Sequence, residues 1–167
     1  MTIRRFSLQL FIALAAAAVA FIVLTSRALP ERVASHFGPG GHANGWMTRE
    51  AYLIVVLAAA TLLPLVIVAL VAALPRAFPR GINLPNRDYW LAPERRDATL
   101  GALAGFAWAF ACLLTLFVAG MHWTIVDAHA SAPPQLAEAA VHLLMAGFVA
   151  AVAAWIITLY LRFRRTG

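Results

Sequence analysis

Four long apolar runs, separated by polar segments, dominate the pattern of the chain. The runs cover about residues 6–29, 51–74, 100–123 and 134–161. An α-helix needs about 20 apolar residues to cross a hydrocarbon core of ~30 Å, and each run exceeds this. The pattern predicts an all-α integral membrane protein, in which four transmembrane helices form one bundle and one domain over residues 1–167.

The first apolar run also has the basic start of a secretory signal peptide, in Arg4 and Arg5. Such peptides have an apolar region of about 7–15 residues, which is shorter than this run, and three further runs follow here. We therefore expect the first run to be a retained transmembrane helix.

The arginines predict the orientation of the bundle. All thirteen basic residues are arginines, and all but Arg27, Arg32 and Arg49 lie near the termini or in the polar segment 75–99. Cytoplasmic segments carry the excess of positive charge in membrane proteins. The sequence thus predicts a multi-pass protein of the inner (cytoplasmic) membrane with both termini inside, an inner loop at 75–99, and outer loops at 30–50 and 124–133.

Composition agrees with a membrane domain and argues against other classes. The chain is 63% hydrophobic and 12% charged, whereas a soluble domain has about 25% charged residues. The net charge of +6 comes from arginines at the ends of apolar runs, so we expect no nucleic-acid partner. Cys112 is the single cysteine and lies in an apolar run, which predicts helix packing and excludes a disulfide within the chain.

The second apolar run carries signals for its start and for a distortion. Thr48 is a candidate N-cap residue, because its hydroxyl can accept a backbone N–H of the first turn. Pro64, near the middle, removes one helix hydrogen bond and frees the carbonyl of Ala60, so we predict a kink there. Thr61 is close enough to help satisfy the disturbed backbone.

The predicted topology places all five histidines at or near the outer face. Imidazole and carboxylate groups suit zinc or copper, so one hypothesis is a transition-metal site. Glu138 and His142 are four residues apart and share a helix face, and at that depth His142 should face the bundle or a watery recess. The candidate ligands are His36, His42, His122, His142 and Glu138. The alternative is that these groups are interfacial polar residues with satisfied hydrogen bonds.

The residues bear on two further functions, pH sensing and catalysis. Histidines on an outer face would gain charge below about pH 6.5, which would suit a pH sensor. An enzyme would need a nucleophile such as Ser35 or Ser131, and neither lies in a nucleophile elbow or has a lysine partner. A non-enzymatic role is therefore favoured.

The segment LPERVASHFGPGGHANGW resembles the signature of a bacterial membrane family, the domain of unknown function 1648. The matching positions are Leu29, Pro30, Val33, His36, Phe37, Gly38, Gly41, Gly45 and Trp46. The later segment INLPNRDYWLAPERR is similar to the second loop of these proteins. Its matching positions are Asn83, Pro85, Asn86, Tyr89, Trp90, Pro93, Glu94, Arg95 and Arg96.

The resemblance implies an inner-membrane protein of unassigned role and points to both loops. Ala34 replaces a proline that the family usually has at this position. The same domain occurs in longer SdpI-type proteins, which are implicated in toxin immunity and signalling. Their later Asn-x-x-Gly-x-Arg segment is absent from this sequence, so the immunity role is not carried over.

We expect the first loop to fold over the helix ends, with Pro30 and the glycines turning the chain and Phe37 and Trp46 at the interface. The second loop is expected to form a structured cap, whose arginines pair with Asp88, Glu94 or anionic lipid. Both loops could serve folding alone. The functional prediction is a sensing or partner-binding envelope module, with membrane lipids, a peptide, another envelope protein or a second copy of the chain as partner. The alternative is an outer-face metal- or proton-binding site of the histidines that serves transport, sensing or metal-dependent catalysis.

Overall fold

The structure, a computed structural model, describes residues 3–78 and 81–165. Pro79 and Arg80, in the predicted inner loop, lie outside the described residues. Four helices are long and apolar enough to cross a membrane, which confirms the predicted all-α fold class. These spans are Arg5–Ala28, Arg49–Pro75, Arg96–Ala128 and Glu138–Arg164. The side of the membrane on which each loop lies remains a prediction.

The segments that connect the four long helices lie alternately at the two ends of the molecule. The helices are α1 (Ile3–Thr25), α2 (Arg49–Leu57), α3 (Leu63–Ala77), the short α4 (Arg87–Trp90), α5 (Arg96–Ala128) and α6 (Glu138–Arg164). A two-stranded antiparallel hairpin, β1 (Arg32–Phe37) and β2 (Ala43–Thr48), joins α1 to α2. We call the end with this hairpin the hairpin end. The opposite end, with α4 and the last turn of α6, is the arginine end.

Helix α5 lies at the centre and packs against α1, α3 and α6. One apolar cluster near the hairpin end joins Ile22 of α1 to Val56 of α2, and a second joins Phe11 of α1, Val68 of α3 and Ala111 of α5. The apolar stretch of α6, by contrast, contains no buried residue. The four helices therefore form a three-helix core with a fourth helix on its outside.

Helix α5 is longer than predicted, and α6 starts later. The predicted outer loop 124–133 is helical as far as Ala128, because Ile125 and Val126 pack against the apolar cluster at the hairpin end. The fourth helix begins at Glu138 rather than at residue 134, because the preceding residues pair with the hairpin. At the other end α5 begins at Arg96, and Pro93 lies in the turn before it.

The second membrane helix is distorted directly before Pro64. Residues Ala58–Leu62 form a π-helical turn between α2 and α3. The Ala60 carbonyl, which Pro64 leaves without its usual donor, accepts a hydrogen bond of 2.8 Å from the hydroxyl of Thr115 in α5. Thr61 donates to the Leu57 carbonyl at 2.7 Å. At the start of α2, Thr48 accepts from the Ala51 N–H at 3.2 Å, which confirms it as the N-cap residue.

We predict that Thr115→Val lowers the free energy of unfolding by about 1 kcal/mol. The substitution keeps the shape of the side chain but leaves the buried Ala60 carbonyl without a donor. The matched control is Thr158→Val, because Thr158 is exposed and bonds within its own helix to Ala154. Cys112 is 5% exposed, so maleimide labelling of its thiol in detergent reports unfolding. Equal effects of the two variants would contradict the role of Thr115.

Candidate functional site

The hairpin presents one face to the helices and one away from them. Val33 and Ala34 of β1 are fully buried. Along β2 exposure alternates with a period of two, and Asn44, Trp46 and Thr48 are exposed. Irregular register around His36 interrupts the pairing of the strands. These two strands were not predicted from the sequence. The Gly-Pro-Gly-Gly segment between the two strands was the signal that could have revealed a hairpin.

The glycines of the hairpin are required by its geometry. Gly40 and Gly41 have φ angles of 78° and 73°, in the left-handed region that side chains rarely adopt. A Cβ atom on Gly41 would collide with the backbone carbonyl of Leu136. On the strands, a Cβ atom on Gly45 would lie 2.9 Å from the His36 Cβ. The turn therefore accepts the close approach of another segment.

Hydrogen bonds fasten the turn of the hairpin to the start of α6. The Gly40 N–H donates to the Glu138 carboxylate at 2.8 Å. The Leu136 N–H donates to the Gly41 carbonyl at 2.8 Å, beside a β-bridge between His42 and Gln135. Glu138, proposed from sequence as a metal ligand, thus binds the turn.

The base of the hairpin is fastened to α5 and to the start of α2. The Ala34 N–H donates to the His129 Nε2 at 3.1 Å, and the ring Nδ1 lies 2.8 Å from the Ile125 carbonyl. The Arg49 guanidinium donates to the Leu29 carbonyl at 3.1 Å. Together with the bonds at the turn, these contacts hold the hairpin on the ends of three helices.

His122 forms a buried polar network inside the helices at the hairpin end. It is 1% exposed. Its Nε2 lies 2.7 Å from the Thr25 hydroxyl of α1, and its Nδ1 lies 2.8 Å from the Tyr52 hydroxyl of α2. The Tyr52 and His122 rings are stacked with centroids 5.7 Å apart. His122 therefore connects α5 to both neighbouring core helices.

The donors and acceptors of this network can be assigned by counting protons. The Thr25 hydroxyl has one proton, and it also lies 2.7 Å from the Phe21 carbonyl, which can only accept. Thr25 then accepts from the Nε2–H of His122, and in a neutral ring the His122 Nδ1 accepts from the Tyr52 hydroxyl. Both ring nitrogens are used, so neither is free for a metal unless the network breaks.

The structure does not bring the proposed metal ligands together. His36 and His42 are exposed on the hairpin, with the His36 Nδ1 lying 3.2 Å from the Ser35 hydroxyl. His122 is buried in its network, and His142 is exposed on α6 rather than facing the core. Over residues 3–78 and 81–165, no group of three or more His, Cys, Asp or Glu side chains could hold a metal ion.

The second loop caps the end of α6 at the arginine end. The indole N–H of Trp90 donates to the Phe163 carbonyl at 2.7 Å, and the Asn86 side chain donates to the Arg164 carbonyl at 2.8 Å. The last carbonyls of a helix lack partners within it, and these two donors supply them. Asn86 itself has a left-handed φ of 50°. Phe163 is fully buried against the Trp90 ring.

The remaining residues of the second motif surround this cap. Asn83 and Pro85 lead into α4, and Glu94 lies in the turn between α4 and α5. The predicted pairing of arginines with nearby acids is seen at Arg87 and Asp88, 3.4 Å apart. Arg96 starts α5. Within this motif, Asn86 and Trp90 fasten the end of α6.

We predict that Trp90→Phe loosens the end of α6. The variant keeps an aromatic ring against Phe163 but leaves the Phe163 carbonyl without its donor, for a loss of about 1 kcal/mol. Hydrogen exchange should become faster in the last turns of α6 and stay unchanged in α1. Trp123→Phe is the control, since Trp123 is half exposed at the other end. The same exchange rates in the last turns of α6 for both variants would contradict this account of the cap.

Four apolar helices with structured segments at both ends define a multi-pass helical membrane protein. Residues 11–62 match the family model of a Domain of unknown function (DUF1648). The matched residues take in most of α1, the hairpin and the second helix as far as the π-turn. The match ends before the second loop motif. No curated protein and no solved structure matches the chain.

Proposed function

We propose that the protein is a non-enzymatic module of the bacterial inner membrane, whose hairpin binds an extended peptide segment of another envelope protein. The observation that carries the proposal is the outer edge of β2. The two strands form a sheet of two, and in the part of the chain that the structure describes no third strand pairs with β2. An open edge can accept an added strand through main-chain hydrogen bonds.

The way the hairpin is held supports this proposal. The outer side of β1 is taken by the end of α5, where His129 binds the Ala34 N–H, so an added strand would pair with β2. The bonds to α2, α5 and α6 fix the hairpin before a partner arrives, which reduces the entropy lost on binding.

The side chains of β2 could give such an interaction its specificity. Asn44, Trp46 and Thr48 project from one face, and Trp46 is 44% exposed. Tryptophan is among the residues that contribute most binding energy at protein interfaces. With both termini inside, as the arginines predict, this face would meet proteins on the outer side of the membrane.

Site-specific photocrosslinking in cells tests the proposal. We would place p-benzoylphenylalanine at Asn44 or Thr48, and at Leu143 as a control, because Leu143 is 74% exposed on the apolar surface of α6. We expect a discrete protein adduct from the two β2 positions and none from Leu143, with Trp46→Ala reducing the adduct severalfold. Adducts of lipid alone would contradict the proposal. An adduct of the chain with itself would replace the partner by a second copy.

A further inference from the structure

Two arginines face one small crevice at the arginine end. The crevice, of about 60 Å³, lies between the second loop, the start of α5 and the end of α6. It is lined by Trp90, Arg95, Ala98, Thr99, Arg162 and Phe163. The lining thus carries two positive charges and no carboxylate. Like charges in a shared site repel one another, so the crevice favours an anion between them.

Aromatic rings hold both guanidinium groups in place. Arg95 lies 4.0 Å from the centroid of Tyr89, and its Nε donates to the Tyr89 carbonyl at 2.8 Å. Arg162 lies 4.8 Å from the centroid of Trp90. Among the residues described, one arginine pairs with a carboxylate, and that ion pair joins Arg87 to Asp88 rather than involving Arg95 or Arg162. Arg95 and Arg162 are therefore positioned by rings and keep donors for an anion.

An apolar groove adjoins the crevice and shares Arg162 with it. The groove, of about 330 Å³, runs between α1, α5 and α6. Ala102, Gly105 and Ala109 of α5 form its floor, Ser7 and Thr158 line its sides, and Arg162 lies at its end. The small residues of α5 leave this space between the helices. A ligand that fills both spaces needs an anionic head and an apolar tail.

The geometry points to a binding site for an anionic glycerophospholipid. Its phosphate would lie between Arg95 and Arg162, and one acyl chain would lie in the groove along α5. Arginine binds phosphate oxygens through paired N–H donors, and basic pockets between transmembrane helices bind anionic head groups. The inference is independent of the proposed function, because hairpin and crevice lie at opposite ends of the molecule.

Native mass spectrometry of the detergent-purified full chain with added lipid tests the site. The probes are palmitoyl-oleoyl phosphatidylglycerol, the neutral phosphatidylcholine with the same chains, and inorganic phosphate. Arg162→Gln removes a charge from the crevice, and Ala109→Leu fills the groove. Arg164→Gln is the matched control, since it removes a charge from the same exposed turn without lining either space. Circular dichroism checks that each variant is folded.

We expect one phosphatidylglycerol to bind in preference to phosphatidylcholine. Arg162→Gln should weaken its binding about fivefold, as the loss of one arginine near a lipid surface implies. Ala109→Leu should weaken binding as well, and Arg164→Gln should not. Equal weakening by both arginine variants would overturn the site in favour of general surface charge. Equal binding of the two lipids, or of inorganic phosphate as tightly as lipid, would also overturn it.

Discussion

His122→Ala is expected to lower the free energy of unfolding by about 3 kcal/mol. The loss combines a cavity at a position that is 1% exposed with the loss of two hydrogen bonds, to Thr25 and Tyr52. Removing a large buried side chain costs about 2–5 kcal/mol, and each buried polar group left without a partner costs about 1–3 kcal/mol in water-soluble proteins. Hydrogen bonds inside membranes contribute less, about 0.6 kcal/mol on average. We therefore expect a total loss in the lower half of the range of about 2–5 kcal/mol for a buried side chain.

His142→Ala is the matched control for this prediction. His142 also lies in a membrane-spanning helix near the hairpin end, but it is exposed, so we expect a change within about 0.5 kcal/mol. The labelling rate of the Cys112 thiol in denaturing detergent gives the free energy for both. Tyr52→Phe, which removes one hydroxyl, should fall between them. If His122→Ala were as mild as His142→Ala, the network would not be holding the core helices together.

Gly41→Ala is expected to detach the hairpin turn from the start of α6. The new Cβ would overlap the backbone carbonyl of Leu136, and the φ of 73° is itself unfavourable for alanine. The left-handed conformation alone costs about 1–2 kcal/mol. Because a backbone cannot yield as a flexible side chain does, the bond from the Leu136 N–H to the Gly41 carbonyl should be lost. We expect a total loss of about 3 kcal/mol.

Gly101→Ala is the control for the turn, because a Cβ atom there meets nothing within 4 Å. Alanine is also the better helix former, by about 1 kcal/mol at most. In Gly41→Ala, backbone amides in β2 and at residues 135–138 should therefore exchange faster with solvent. In Gly101→Ala, their exchange rates should not change. Protection of the turn in both variants would mean that the Gly41 contact contributes little to the attachment of the hairpin.

The apolar runs were enough to predict the four helices, because the length of a membrane span is fixed by the thickness of the bilayer. The carbonyl that Pro64 frees was also predicted, since that effect is local in the chain. Its donor Thr115 was not, because it lies 55 residues away and looks like any other threonine in an apolar run. The hydrogen bond from Thr115 to Ala60 depends on how α5 is aligned along the second membrane helix.

The histidines illustrate the same difference between local and long-range information. Side-chain chemistry made His122 a candidate metal ligand, but the partners that use its nitrogens are 97 and 70 residues away in sequence. For the second loop, a structured cap was expected for the motif that carries the family resemblance. Its target, the last carbonyls of α6, could not be predicted, because nothing near Trp90 in the sequence indicates where α6 ends.

The π-turn at Ala58–Leu62 sets the phase of the second helix. Val56 and Val68 both face the core, yet twelve steps of a regular α-helix would place them about 120° apart around its axis. A π-turn takes up one extra residue, or about 100°, and leaves them within about 20° of each other. Deleting one residue from this turn would leave eleven steps of a regular helix and keep Val68 within about 20° of Val56, on the face toward α5. The deletion should therefore be tolerated, whereas a regular helix over all twelve steps would turn Val68 away from the core.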